Sequence, residues 1–302
     1  MSRNTDELFA IRLSLAFGFL MLVGKMSAWW LTSSSAILSD ALESVVHVIA
    51  VAFAAFSMWL SQRPATDQYR YGFERISFFS AGFEGGMIVL AAISIIWTAV
   101  LKWLTGLEMN RLGTGTLLVA AAAAINAALG AYLIWMGRRN KSLILEANGK
   151  HVLTDVWTSL GVIVGLCLVL LTGWLPFDPI CAILVALNIL WSGGNLIWRS
   201  AQGLLDRADP ETAQLLRQRL DALAAAHGFS YHHLRFRSAG YRLFVEVHLL
   251  FPFEKPLGDA HAIATKVEDE LAGGLEVPAE VLTHLESIED HSDLHGAKHS
   301  LY

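Results

Sequence analysis

The chain has 302 residues, of which 54% are hydrophobic and only 16% are charged, and its formal net charge is −5. This composition is too apolar for an ordinary soluble enzyme of that length, and a small negative charge gives no reason to expect a nucleic-acid partner. The two cysteines, Cys167 and Cys181, fall near or within apolar segments, where small hydrophobic side chains are common, so no disulfide framework is predicted.

The apolar residues are concentrated in the first 200 positions. A helix needs roughly 20 apolar residues to cross about 30 Å of hydrocarbon, and six segments have that length. They span residues 8–30, 34–60, 77–101, 114–135, 143–172 and 177–198. The first is too long for a signal peptide and lacks a small-residue cleavage site. We therefore predict a polytopic α-helical membrane protein, with six transmembrane helices in a first domain of residues 1–205.

The distribution of basic residues predicts the orientation of these spans. Arginines and lysines are concentrated in the loop between spans two and three and around the loop between spans four and five. Because short cytoplasmic loops carry the excess of positive charge, both loops are expected on the cytoplasmic side. Both termini and the polar C-terminal part should then also be cytoplasmic.

Spans two and five carry ionisable residues that are expensive inside a bilayer. Span two contains Asp40, Glu43 and His47, and span five contains His151 and Asp155. In each span a carboxylate and an imidazole are four residues apart, and so lie on one face of the helix. At about 1.5 Å of rise per residue, Glu43 and Asp155 should lie at one depth and His47 and His151 at another, so all four could meet near mid-membrane.

Two carboxylates and two imidazoles form a ligand set that suits Zn²⁺ and tolerates Fe²⁺, Co²⁺ or Mn²⁺. We expect Zn²⁺ as the bound metal, with Fe²⁺ next, and no prosthetic group. When the metal leaves, two carboxylate charges in a low-dielectric site would favour protonation, so proton antiport is the expected mechanism.

Alternatives remain open at several of these positions. Each acid or histidine could instead cap or hydrogen-bond a neighbouring helix, although two pairs at matching depth argue against this for Glu43, His47, His151 and Asp155. Asp40 is either an entrance residue or an interfacial polar group, and Glu84 in span three is similarly ambiguous.

The C-terminal part, residues 206–288, has the pattern of a small α+β domain. We predict helices at 210–227 and 257–272 and strands at 231–238, 241–251 and 280–287, from alternating apolar residues in the strands and helical periodicity in the helices. The order α-β-β-α-β fits a helix-on-sheet sandwich. Residues 289–302 are predicted to be a flexible tail, whose His291, His295 and His299 could hold metal weakly.

With these features the chain resembles the cation diffusion facilitator (cation efflux) family, of the zinc and iron efflux type, over almost its whole length. The resemblance is carried by the six spans, the acid and histidine pairs of spans two and five, the His-bearing C-terminal domain, and two short motifs. These motifs are Arg70, Tyr71 and Gly72 after span two and Leu204 to Arg207 at the end of span six.

The resemblance implies a homodimer working by alternating access in a bacterial cytoplasmic membrane, with metal at Glu43, His47, His151 and Asp155. It also implies that the C-terminal domain is metallochaperone-like and dimerises, with metal bound at positions matching those of relatives; the alternative is a set of scattered surface histidines. If the domain binds metal, we expect that metal to regulate transport. The residues at the matching positions of that domain are His232, His248, His261, His284 and Glu286. In a regular strand His233 would point away from His232, so we do not include it in this set.

Two departures from the family pattern affect these expectations. Span two has Glu43 followed by His47 where relatives usually have His or Asp followed by Asp, which leaves the metal identity open. The loop after span two has Tyr69 and Phe73 where zinc-type relatives carry metal-binding histidines, so a minor loop site is not expected. The resemblance further implies that Arg75 pairs with Asp206 at a charged pivot of the dimer; the alternative is a solvated surface pair.

Two other classes of protein could use such an intramembrane site. An intramembrane metal hydrolase would need an open coordination position and a general base, and the sequence has no His-Glu-x-x-His motif, so we do not expect an enzyme. A membrane metal sensor that binds ions without moving them is the remaining alternative.

Overall fold

The computed structural model describes residues 2–32, 35–106, 114–275 and 277–289. The chain divides into two compact units, Met1–Leu204 and Leu205–Tyr302.

The first unit is helical at each predicted span. Its helices are α1 Ser2–Thr32, α2 Ser35–Ser61, α3 Ile76–Thr105, α4 Thr114–Arg139, α5 Leu143–Thr172 and α6 Phe177–Leu204. Within the described residues, the length and hydropathy of Ile76–Thr105 and Pro179–Leu204 suit a membrane span. Membrane crossing by the other helices stays a prediction.

Two apolar clusters hold the helices of this unit together. One joins α1, α2, α4 and α5 through residues such as Ile11, Met58 and Leu133. The other joins α3, α5 and α6 through Ile88, Ala147 and Ile189. Because α5 contributes to both clusters, it lies where the two groups of helices meet.

Glycines allow the closest helix contacts in the first unit. A Cβ added to Gly85 of α3 would lie 3.0 Å from the carbonyl oxygen of Gly193 in α6, and the reverse distance is also 3.0 Å. Gly130 of α4 and Gly149 of α5 face each other in the same way. Small residues at such contacts let helix backbones approach closely, as in many membrane bundles.

Large apolar side chains also cover the outside of this unit. Trp97, Leu104 and Trp191 are each at least 67% exposed. Such a surface is unfavourable in water but suits contact with lipid.

The second unit has the predicted α-β-β-α-β order. Its elements are α7 Pro210–His227, β1 Ser230–Ser238, β2 Leu243–Phe251, α8 Leu257–Gly273 and β3 Ala279–Ser287. The strands form a sheet in the order β1-β2-β3, in which β1 and β2 are antiparallel and β2 and β3 are parallel. Helix α8 makes the crossover that a parallel pair requires.

Both helices of this unit pack on one face of the sheet. Leu216 and Leu220 of α7 and Val267 of α8 join Val245 and Val247 of β2 in a buried apolar cluster. Because side chains alternate along a strand, the even-numbered residues of β2 lie on the opposite face. That face carries the histidines.

Candidate metal sites

A row of three histidines crosses the sheet of the second unit. His232 of β1 pairs with His248 of β2, and His248 pairs with His284 of β3. The ring centroids are 5.0 Å apart for His232 and His248 and 4.9 Å apart for His248 and His284. Strand register therefore gathers residues that are more than fifty positions apart in sequence.

Glu286 of β3 links the histidines in this row. Its Oε2 is 2.8 Å from Nε2 of His232, and its Oε1 is 2.7 Å from Nδ1 of His248. Nε2 of His284 is farther away, at 3.7 Å from Oε1. Among the described residues, His232, His248 and Glu286 form a group whose donor atoms lie within 4.8 Å of one another.

The electrostatics of this group favour a ligating state at neutral pH. Burial raises the pKa of the Glu286 carboxyl, but hydrogen bonds to His232 and His248 and the charges of those rings outweigh it and lower the pKa to about 2. Burial lowers the pKa of His248, and the hydrogen bond to Glu286 opposes that shift only in part. An ionised carboxylate beside a neutral imidazole is the form that binds Zn²⁺ or Fe²⁺.

The ring of His233 contacts the rings of His232 and His248, contrary to the expectation from a regular strand. A bulge interrupts the pairing of β1 between His232 and Arg235, and His233 has a positive φ of 50°. The bulge inserts an extra residue, so His233 stays beside its neighbour. Its ring centroid is 4.7 Å from that of His232 and 5.2 Å from that of His248. In the sequence, the sign of this contact is that His232 and His233 are adjacent.

The structure does not bring His261 into this group. His261 lies on α8 and is exposed, and its carbonyl oxygen accepts a hydrogen bond from Thr265. From residue 290 onward the predicted tail lies outside the described residues.

Only half of the predicted transmembrane site can be described. His151 is buried on α5, and Asp155 follows one turn later with intermediate exposure. Asp40, Glu43 and His47 lie on α2, which contacts α5, but their side chains fall outside the described part of the structure.

The structure adds a fully buried carboxylate next to His151. Glu84 of α3 is 0% exposed, and its Oε2 is 3.7 Å from Nδ1 of His151. Its Oε1 accepts a hydrogen bond of 3.4 Å from the Asn148 amide, whose Oδ1 accepts one of 2.8 Å from Ser14. These contacts join α1, α3 and α5 through polar side chains.

An ion pair also connects helices α5 and α6. Oε1 of Glu146 accepts a hydrogen bond of 2.7 Å from Nη1 of Arg199 in α6, and Nζ of Lys150 is 3.0 Å away. These two cations therefore have a carboxylate partner of their own.

Two further predicted features lie around the loop after α2. Arg75 donates a 2.6 Å hydrogen bond to the carbonyl oxygen of Leu204, the last residue of α6. The pairing of Arg75 with Asp206 remains a prediction. In the loop, the rings of Tyr69 and Phe73 pack with centroids 4.7 Å apart.

The helical unit with its buried acid and imidazole, together with the histidine-lined sheet, is the architecture of a metal-handling membrane protein. The family model for the cation efflux transmembrane domain matches residues 11–205, and the model for the cytoplasmic domain of cation efflux proteins matches residues 209–288. The chain therefore belongs to the cation efflux, or cation diffusion facilitator, family. Members of this family are integral membrane transporters, which agrees with the expectation that the chain is not an enzyme.

Curated relatives match over most of their length. The uncharacterized transporter sll1263 of Synechocystis is 33% identical over 88% of this chain and 86% of the relative. The zinc transporter ZitB of Yersinia pestis is 28% identical over 86% and 82%, and the cation-efflux pump FieF of Citrobacter koseri is 28% identical over 83% and 83%. A solved structure of CzrB, 28% identical, covers 26% of this chain and 96% of its own, with a TM-score of 0.25.

Proposed function

We propose that this protein exports divalent transition-metal cations from the cytoplasm in exchange for protons, with Zn²⁺ as the first candidate substrate and Fe²⁺ as the second. Membership of the cation efflux family supports export, and the zinc transporter ZitB and the cation-efflux pump FieF among the relatives support a divalent metal. The buried His151 with Asp155 one turn later is the structural observation that carries the proposal.

The proposed transport site consists of Glu43 and His47 of α2 with His151 and Asp155 of α5. Contact between the two helices supports a shared site, and a buried ionisable residue in a membrane helix is most often functional. Asp40 is a candidate entrance residue above this site.

Proton exchange follows from the charge of such a site. A divalent cation neutralises two carboxylates, and after its release the low-dielectric surroundings would disfavour both charges. Protonation of carboxylates or imidazoles restores neutrality, and alternating access then returns the site to the cytoplasm with protons bound. The same protonation weakens metal binding, which couples the two fluxes.

The second unit is proposed to sense cytoplasmic metal and to dimerise. His232, His248, His284 and Glu286 supply the ligands on the sheet, with His261 as a further candidate. Metal bound there would stabilise one arrangement of a homodimer and shift the helices toward transport. The family model that matches this unit describes a dimerisation domain, which supports a homodimer. Arg75 and Asp206 are the proposed pivot, and both termini are proposed to be cytoplasmic in a bacterial inner membrane.

Metal uptake into proteoliposomes with an acidic interior tests the transport proposal. Zn²⁺, Fe²⁺ and Mn²⁺ are compared for the native chain, Asp155→Ala and the control Asp269→Ala, which removes an exposed acid of α8. We expect at least one ion to be taken up. That uptake should require the pH gradient and should be lost only in Asp155→Ala. Absence of flux for every ion, with metal still bound, would favour a sensor that does not transport.

A further inference from the structure

Glu84 is a carboxylate whose burial needs a physical explanation. It is 0% exposed on α3, about one-third of the way along that helix. Its described hydrogen bond is the long one from Asn148, at 3.4 Å. An isolated carboxylate at such a position is expensive, and a glutamine could accept the same hydrogen bond at much lower cost.

Among the described residues, no Lys or Arg side chain lies within ion-pair distance of Glu84. Arg199 and Lys150 contact Glu146, at 2.7 and 3.0 Å. The titratable partner that the structure gives Glu84 is His151, which the proposed function places in the transport site.

The second carboxylate oxygen of Glu84 has the geometry of a metal ligand. No hydrogen bond from the described residues reaches Oε2, which is buried and lies 3.7 Å from Nδ1 of His151. That separation is too long for a hydrogen bond. Two ligands at 2.0 to 2.2 Å from a tetrahedral ion would be roughly 3.3 to 3.6 Å apart, so a small adjustment would let both atoms bind one cation.

Glu84 lies where the two groups of helices meet. His151 faces Glu84 from α5, the helix that contributes to both apolar clusters. A cation held by both side chains would connect α3 to α5 at the boundary between the two groups of helices.

We propose that Glu84 is a ligand of the transported cation and shares it with His151, so that the transport site extends from α2 and α5 onto α3. The inference rests on the proposed function for the assignment of His151. The substrate class is a divalent transition metal that accepts mixed nitrogen and oxygen ligands.

Cobalt binding to the full-length chain in detergent tests this ligand role directly. His232→Ala, His248→Ala and Glu286→Ala are introduced together to remove the proposed metal ligands of the second unit. Co²⁺ is then titrated into three proteins: this triple variant, the triple variant that also carries Glu84→Gln, and the triple variant that also carries the control Glu146→Gln. The control neutralises a buried carboxylate that already has cationic partners.

We expect Glu84→Gln to weaken Co²⁺ binding by about tenfold or more and to shift the visible Co²⁺ bands, because an oxygen ligand is changed. Glu146→Gln should leave the band positions unchanged. Identical bands and affinity in Glu84→Gln and the background would overturn the proposal. If Glu84→Gln does not fold, Glu84→Asp keeps the charge and withdraws the carboxylate, and unchanged bands and affinity there would overturn it equally.

The binding measurement separates this inference from the proposed transport. Glu84-dependent Co²⁺ bands together with absent metal flux in the native chain would support the ligand role and contradict export. Flux that is normal in the native chain, with Co²⁺ bands insensitive to Glu84, would leave export intact and remove the ligand role.

Discussion

His232 and His248 occupy directly paired positions on β1 and β2, with ring centroids 5.0 Å apart. Glu286 reaches both rings from β3, at 2.8 and 2.7 Å. The pairing of two strands thus provides two imidazoles, and the third strand provides the anion between them.

If His232, His248 and Glu286 bind Zn²⁺ as proposed, neutralising Glu286 should remove most of that affinity. For Glu286→Gln we expect Zn²⁺ binding to the isolated second unit to weaken by at least about tenfold, or roughly 1.4 kcal/mol, because a charged ligand is lost. Isothermal titration calorimetry measures the change. Glu280→Gln, on the same strand at an exposed position, is the matched control. Equal affinities for all three proteins would show that Glu286 is not a ligand.

The low pKa of Glu286 also predicts how stability depends on pH without metal. Its pKa falls from 4.5 in the unfolded chain to about 2 in the folded unit, so the folded state favours the ionised form. The resulting stabilisation is complete above pH about 4.5 and is lost as the pH falls toward 2. In Glu286→Gln this part of the acid destabilisation should be absent. Thermal unfolding of the second unit in chelator between pH 5 and 2 measures the difference, and parallel curves for the two proteins would contradict the assignment.

The elements of both units could be predicted from sequence because their patterns are local. Long apolar runs predict the helices, and alternating apolar residues predict β2 as a strand. The observed starts of α5 and α6 and both ends of α7 agree with the predicted residues. The α-β-β-α-β order of the second unit is confirmed as well. These patterns are periodicities among neighbouring residues, which can be read directly from the sequence.

The details of both candidate sites depend on features that sequence does not show. The bulge that brings His233 to the cluster is a backbone irregularity, and a regular alternation placed it on the wrong face. Glu84 could not be assigned from spacing, because its partner His151 is on another helix, 67 positions later. Such contacts follow from how α3 packs on α5, which periodicity within one helix does not determine.

The start of α7 offers a test of local helix stabilisation. Asp209 has an extended conformation before the helix, and its Oδ2 accepts hydrogen bonds from the backbone N–H and the hydroxyl of Thr212. These hydrogen bonds lower the pKa of the carboxyl. Asp209→Ala should cost about 0.5 to 2 kcal/mol of unfolding free energy in the second unit, measured by urea denaturation at pH 7. Asp209→Ser keeps a capping oxygen and should lose less; equal losses for the two variants would argue against capping.

The contact of α3 with α6 can be tested with two adjacent glycines. A Cβ at Gly85 would lie 2.9 Å from Cγ1 of Ile197 and 3.0 Å from the Gly193 carbonyl oxygen, whereas a Cβ at Gly86 meets nothing within 4 Å. Gly85→Ala should therefore separate the helices and cost about 1 to 3 kcal/mol, because one of the obstructing atoms is backbone. Gly86→Ala should be neutral or stabilising by up to about 1 kcal/mol, because alanine favours a helix more than glycine does. Thermal unfolding of the full-length variants in detergent measures both changes. A midpoint for Gly85→Ala equal to or above that of Gly86→Ala would contradict the close packing of these two helices.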